Sequence, residues 1–181
     1  NHVLVLDLPI TFSFKRLITG SMLPYGWNNK HKARVGVLPK TGSTSDVLWF
    51  EVDPCFIFHT CNAFEQENGD IVMDAVVHEH AFVKSVQGPV EGQKVRFERW
   101  TLQQATGKVQ RKVISMVHQE FPRLDERLTG KPYRYAYAVT FGSQQDSPFS
   151  EPEANQLLKH DLHAGTTVAY DYGKEYASGE V

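Results

Sequence analysis

Cysteine is scarce in this sequence of 181 residues: there are two, Cys55 and Cys61. They lie six apart in one strand-like segment, a placement that disfavours a disulfide between them. Free, buried thiols in a reducing compartment are the expectation, and with them a cytoplasmic location. Long hydrophobic runs are absent as well. None approaches the roughly 18 residues of a membrane span, and no signal peptide is visible. Membrane contact is therefore expected only through parts outside this chain. No sign of charge dominates: the net charge is -2, with both signs interspersed. That leaves no basic stripe for nucleic acid and no polybasic membrane segment. The cluster Lys30, Lys32 and Arg34 reads as a solvated loop. Several catalytic signatures are missing too. No serine sits in a G-x-S-x-G frame. "ENGD" and "ATGK" are turns rather than phosphate loops, because no glycine-rich loop leads into a helix. "NAFEQENGD" is acidic but lacks the spacing of a calcium loop. Helical periodicity is weak, with one turn expected in "EPEANQLL" and another in "FPRLDERLTG".

What is present is β-structure. At 41% hydrophobic and 12% aromatic residues, the chain can bury a sizeable core and is not a disordered polymer. "HVLVLDL" (2–8), "ARVGVLPK" (33–40) and "DVLWFEV" (46–52) read as strands, the last two separated by the turn formers "TGSTS". "FIFHTCNAFEQ" and "DIVMDAVV" flank "ENG" as a hairpin. "KVRFERWTLQQ" and "KVQRKVISMV" flank "ATG", and "NQLLKHDL" and "TVAYDYG" flank "HAG", as two more. "YRYAYAVTF" (133–141) alternates aromatic and small residues with a period of two. This puts Tyr133, Tyr135 and Tyr137 on one face, for packing between sheets or for lining an apolar tunnel. Two hairpins, "RWTLQQATGKV" and "KHDLHAGTTV", share a strand, a Leu, a Gly turn and a return strand. A recurring antiparallel unit of this size is the mark of propeller blades, although a sandwich would also produce it. The fold class is all-β. As blades, the chain holds about three to four, an open arc rather than a ring. Its start in a strand without Met and its end without a cap are those of a segment of a longer protein.

The candidate site residues are histidines. His59 lies in the apolar stretch "DPCFIFHTCNAFE", where a buried imidazole needs partners for both nitrogens. It is either a core histidine bonded to backbone or a residue that points at a ligand. His78 and His80, in "VVHEHAF", would share one face of a strand, a spacing that can bind metal. No third ligand is evident near them, so they read as solvated or structural. His2 reads as a strand residue and His31 as part of the exposed loop "NNKHKAR". His118, His160 and His163 read as hairpin or surface positions.

Five collinear segments give these residues a context. "VLWFEVDPCFIFHTCNAFE" (47–65), "HQEFPRLDERLTGKPYRYAYAV" (118–139), "NHVLVLDLPI" (1–10), "RVGVLPK" (34–40) and "LLKHDLHAGTTVAYDYG" (157–173) resemble the carotenoid cleavage oxygenase family. The short EFPRLDER loop is most similar to its lignostilbene dioxygenase branch. The resemblance covers essentially the whole chain. It implies a seven-bladed β-propeller with a helical cap, of which residues 1–181 are part of the single catalytic domain, truncated at both ends. It implies a non-haem Fe(II) held by four histidines, three of them each hydrogen-bonded to a glutamate. O2 and an apolar conjugated substrate, a stilbenoid or an apocarotenoid, would meet at the iron, and a carbon–carbon double bond would be split into two carbonyl products. By this resemblance His59 falls on the third iron ligand and Glu120 on the glutamate that supports it. Glu180 falls on the glutamate of the fourth histidine, with Val181 where the family usually continues with Pro. The other three ligands would lie outside the chain. Residues 1–181 alone are then expected to be inactive and poorly stable. The alternative is a propeller that serves as a binding scaffold and has lost its metal site. Imidazole ligands suit iron, and a ligating histidine is usually fixed by donating its other N–H to a carboxylate or carbonyl.

Overall fold

The computed structural model describes residues 1–19, 23–83, 93–140, 155–173, 176 and 179. The chain opens with β1 (His2–Asp7), β2 (Ile10–Phe12), the short helix α1 (Phe14–Ile18), β3 (Tyr25–Trp27), β4 (Ala33–Pro39) and β5 (Leu48–Val52). It continues with β6 (Thr60–Glu65), β7 (Ile71–His78), β8 (Val95–Gln103) and β9 (Lys108–Ser115). The last group is β10 (Gln119–Arg123), β11 (Tyr135–Thr140), β12 (Gln156–Asp161) and β13 (Thr166–Asp171). Strands β6 to β9 form one four-stranded antiparallel meander and β10 to β13 a second. A three-stranded sheet of order β1-β4-β5 precedes them, with β2 and β3 as a separate ribbon. Hairpin-linked four-stranded sheets of this kind are the units of a propeller.

The two similar hairpins are the outer pairs of the two meanders, β8–β9 and β12–β13. Each turns on a glycine in the left-handed region, Gly107 at φ +67° and Gly165 at φ +68°. Both donate their N–H to the end of the preceding strand, Gly107 to Gln103 O at 2.9 Å and Gly165 to Asp161 O at 2.8 Å. A Cβ would be strained at that φ, which is why the same residue recurs.

Strand β7 explains how the sheets stack. Every residue from Ile71 to His78 is buried, so both of its faces are covered. Its alternate side chains go opposite ways. Ile71, Met73, Ala75 and Val77 join Val35, Val37, Phe50, Trp100 and Leu102 in one apolar cluster against the three-stranded sheet. Val76 joins Cys61, Phe97, Tyr133 and Ala136 in a second cluster toward the next meander. On the same even-numbered face, Asp74 takes a bidentate pair from Arg99 and a 2.6 Å hydrogen bond from the Tyr133 hydroxyl. The buried carboxylate thus has the partners it needs.

Two sequence expectations change, and the short turn expected in "FPRLDERLTG" is met. The strand through "FIFHTCNAFEQ" begins only at Thr60. Asp53 and Pro54 form a bend, and Phe56 makes only an isolated bridge to His78. Of "EPEANQLL", where a helical turn is expected, the end belongs to β12, which pairs Leu157 and Leu158 with Tyr170 and Ala169. Residues 151–154 of that stretch lie outside the described residues. The turn in "FPRLDERLTG" is a 3-10 turn over Glu126–Leu128, capped by Asp125. His160 is not at the surface: it is fully buried in β12, bonded to Gln119 Oε1 at 2.7 Å and Thr167 Oγ1 at 2.8 Å.

That burial holds the His160 imidazole below its ordinary value of 6.5, at about 4. The unfolded chain therefore binds the proton more readily. The stability contributed by neutral His160 is complete above pH 6.5 and is lost as pH falls through about 4. The loss across that window is about 3 kcal/mol. Urea denaturation of the protein and of its H160Q variant, at several pH values from neutral to acid, should show the acid-side slope flattened in the variant. Parallel profiles would remove His160 from the pH dependence.

Candidate metal centre

His59 sits at the bend immediately before β6, and Glu120 is the second residue of β10. These are the first strands of the two meanders, and each carries a register shift next to its site residue, between Thr60 and Asn62 and between Glu120 and Arg123. Bulges of this kind re-aim side chains beside functional sites. At the second one, Phe121 adopts φ +51°, a left-handed conformation for a bulky residue, and strain of that sort persists only where the surroundings enforce it. The enforcing contact is local: the Phe121 N–H donates to Glu120 Oε2 at 2.9 Å.

Glu120 Oε2 also lies 2.9 Å from His59 Nδ1. The structure thus brings the two residues together across a separation of 61 positions. Among the described residues, His59 Nε2 has no hydrogen-bond partner, and the side chain is 45% exposed. Phe121 leans on the imidazole, with ring centroids 4.9 Å apart. Phe56, Phe58 and Phe82 form a contiguous aromatic group beside it, with centroid separations of 4.6 to 5.9 Å.

The other carboxylate oxygen reaches a residue that the sequence did not mark for the site. His78 Nε2 lies 2.6 Å from Glu120 Oε1, and the pair is buried. His78 is therefore not solvated. It also does not act with His80, which lies beyond β7 with its ring packed on Trp27. The period-two register of β7 was the available signal, because it aims His78 at the same neighbouring meander as Asp74 and Val76. The remaining histidines are elsewhere. His2 pairs with Glu65, His31 bonds Asp7 at 2.7 Å, and His118 bonds the Gln93 carbonyl at 3.0 Å. Glu180 lies outside the described residues.

The loop after β10 is clamped to β6. The Asn62 amide donates to the carbonyls of Leu128 and Lys131 at 3.4 and 3.1 Å and accepts from the Gly130 N–H at 3.0 Å. Burial pushes the Cys61 thiol up to about 12 and the Cys55 thiol up to about 11. Both thiols are thus held protonated, which disfavours a nucleophilic role at neutral pH. Tyr133 is part of this buried packing rather than an exposed aromatic lining, and desolvation raises its phenol above the ordinary range.

The donor chemistry fits one position of an imidazole-ligated metal. Nδ1 is engaged by a carboxylate, and Nε2 is open among the described residues, the arrangement usual for a ligating histidine. Among the described residues, no group of three or more His, Cys, Asp or Glu could hold a metal ion by itself. His59 and Glu120 therefore do not make a complete metal site by themselves.

The hairpin-linked antiparallel sheets are those of an arc of propeller blades. The sequence profile described as retinal pigment epithelial membrane protein matches residues 1–181, and the chain belongs to this family, that of the carotenoid cleavage oxygenases. It is 32% identical to a carotenoid cleavage oxygenase of Mycobacterium tuberculosis, over 100% of this chain and 44% of that protein. It is 31% identical to the carotenoid 9,10(9',10')-cleavage dioxygenase 1 of Phaseolus vulgaris, over 97% of this chain and 31% of that one. Among solved structures, lignostilbene dioxygenase of Pseudomonas brassicacearum superposes with a TM-score of 0.79 at 24% identity, over 96% of this chain and 38% of its own. The chain spans less than half the length of these relatives. The expected all-β propeller arc is the observed architecture, with two four-stranded blades and a three-stranded sheet among the described residues.

Removing the carboxylate tests how much this junction depends on it. Glu120→Ala leaves the donors at His59, His78 and Phe121 without their acceptor. Urea denaturation should show a loss of about 3 kcal/mol, since an unsatisfied buried donor costs about 1–3 kcal/mol. A loss under about 0.5 kcal/mol would mean that water replaces the carboxylate.

Proposed function

We propose that these residues belong to an iron-dependent dioxygenase that cleaves a conjugated carbon–carbon double bond with O2, and that His59 is one of its iron ligands. The observation that carries this is the pairing of His59 Nδ1 with Glu120 at 2.9 Å while Nε2 stays open, in a chain of the carotenoid cleavage oxygenase family. Fe(II), when bound, would supply the oxygen-activating chemistry. The chain's own residues do the positioning. Glu120 accepts a hydrogen bond from Nδ1–H, which fixes the tautomer and leaves the lone pair on Nε2. Phe121 holds the ring plane. Phe56, Phe58 and Phe82 exclude water from one side and offer an apolar wall to a conjugated substrate. The remaining ligands are assigned to parts of the polypeptide beyond residues 1–181, and Glu180 to the glutamate that supports one of them. We place residues 1–181 within one catalytic propeller domain and the protein in the cytoplasm, where free Cys55 and Cys61 would stay reduced.

The substrate class is a stilbenoid or an apocarotenoid. The stilbenoid side is supported by the short EFPRLDER loop and by the structural likeness to a lignostilbene dioxygenase. The test uses the full-length polypeptide loaded with Fe(II) and assayed on both classes. His59→Ala should lose iron and activity together, and normal iron content in that variant would sink the assignment. Glu120→Gln should weaken iron retention by about 10–100-fold while the protein still folds. A full-length protein that takes up no iron would instead be the binding scaffold.

A further inference from the structure

We propose that His78, oriented by Gln93, is a positioning residue that locks Glu120 and thereby presents the Nε2 lone pair of His59 to a metal. The inference rests on the ligand reading of His59 and extends it by two residues. The direction of every hydrogen bond in the chain can be worked out from its two ends, because a backbone N–H only donates.

At one end the His80 N–H donates to Gln93 Oε1 at 2.8 Å. This fixes the side-chain amide, so Gln93 Nε2 is the atom 3.2 Å from His78 Nδ1. An amide nitrogen donates, so His78 Nδ1 accepts and its proton sits on Nε2. That proton points at Glu120 Oε1, 2.6 Å away. At the other end the Phe121 N–H donates to Glu120 Oε2 at 2.9 Å, and as a carboxylate Glu120 only accepts. His59 Nδ1, 2.9 Å from Oε2, is then the donor, and its Nε2 keeps the lone pair. The polarity of the whole chain is set by two backbone N–H groups.

Burial makes the arrangement obligatory rather than optional. Gln93 and His78 are both buried, so water does not substitute for either partner. His118 Nε2 ties the Gln93 carbonyl at 3.0 Å, and the Phe58 ring meets the His78 ring edge-on at 5.0 Å. Without His78, Oε1 would lose its buried partner and the carboxylate would be free to turn about its terminal bond. His59 would then lose the fixed acceptor that defines its tautomer and ring plane. Partners of ligating histidines act on metal affinity in this way.

The test uses the full-length polypeptide with Co(II) alone, titrated against a competing chelator and followed by its visible absorption. Urea denaturation runs in parallel. His78→Phe keeps a ring but removes both nitrogens. It should weaken Co(II) binding about tenfold and change the visible spectrum. His78→Gln keeps an amide N–H for Glu120 and should recover both affinity and spectrum. Gln93→Met frees the His78 tautomer and should shift the spectrum in the same direction as His78→Phe. It carries the test if His78→Phe does not fold. A purely structural His78 would change stability and leave the spectrum of bound Co(II) untouched. Unaltered affinity and spectrum in His78→Phe, or in Gln93→Met, would overturn the inference, as would His78→Gln behaving like His78→Phe. No Co(II) or Fe(II) binding by the unmodified protein would overturn the ligand reading of His59 and this inference with it. Binding that the variants leave intact would overturn this inference alone.

Discussion

The carboxylate of Glu120 is the constraint on which the site depends. It receives His59 and the Phe121 N–H on one oxygen and His78 on the other. These groups come from the bend before β6, the end of β7 and the first strand of the next meander. A buried carboxylate is costly without such partners, so the sheets must dock in one relative position for it to be satisfied. The same contact that joins two blades also orients the His59 imidazole.

The supporting geometry is irregular where it has to be. Regular pleating would send Glu120 and its neighbours to alternate faces without adjustment. The shift after Glu120 and the left-handed Phe121 break that rule at one point. Farther out, the meanders run as paired strands with glycine turns, with one further register shift between Phe97 and Glu98. Asn62 ties the loop between Leu128 and Lys131 back to β6, so the segment after the bulge is held as well as the bulge itself.

Much of this was legible in the residues themselves, and the reasons differ from place to place. Hairpins announced by "ATG" and "HAG" were readable because a left-handed turn demands glycine. His59 and Glu120 became readable as a pair through their motifs, since no periodicity joins residues 61 apart. The burial of His78 and His160 was not legible, for one reason. Each sits at an alternate position of a strand whose surroundings are set by a neighbouring element, so polarity suggested solvent where tertiary packing supplied Glu120 and Gln119. His59 was placed inside a strand because Phe56, Ile57 and Phe58 are apolar. The bend at Asp53 and Pro54 interrupts pairing there, and the aromatic rings pack on one another instead.

Strand β7 has no face in solvent, and this makes it a natural divider of mutational effects. Volume changes at Met73 or Ala75 press on the three-stranded sheet, whereas changes at Val72 or Val76 press toward the meander that carries Glu120. Two substitutions one residue apart on this strand therefore address different interfaces, and sequence adjacency is a poor guide to which of them are coupled. Drift in the odd-numbered set can re-tune stability with little consequence for His59. The even-numbered set is tied to the orientation of His78 and leaves much less room for exchange.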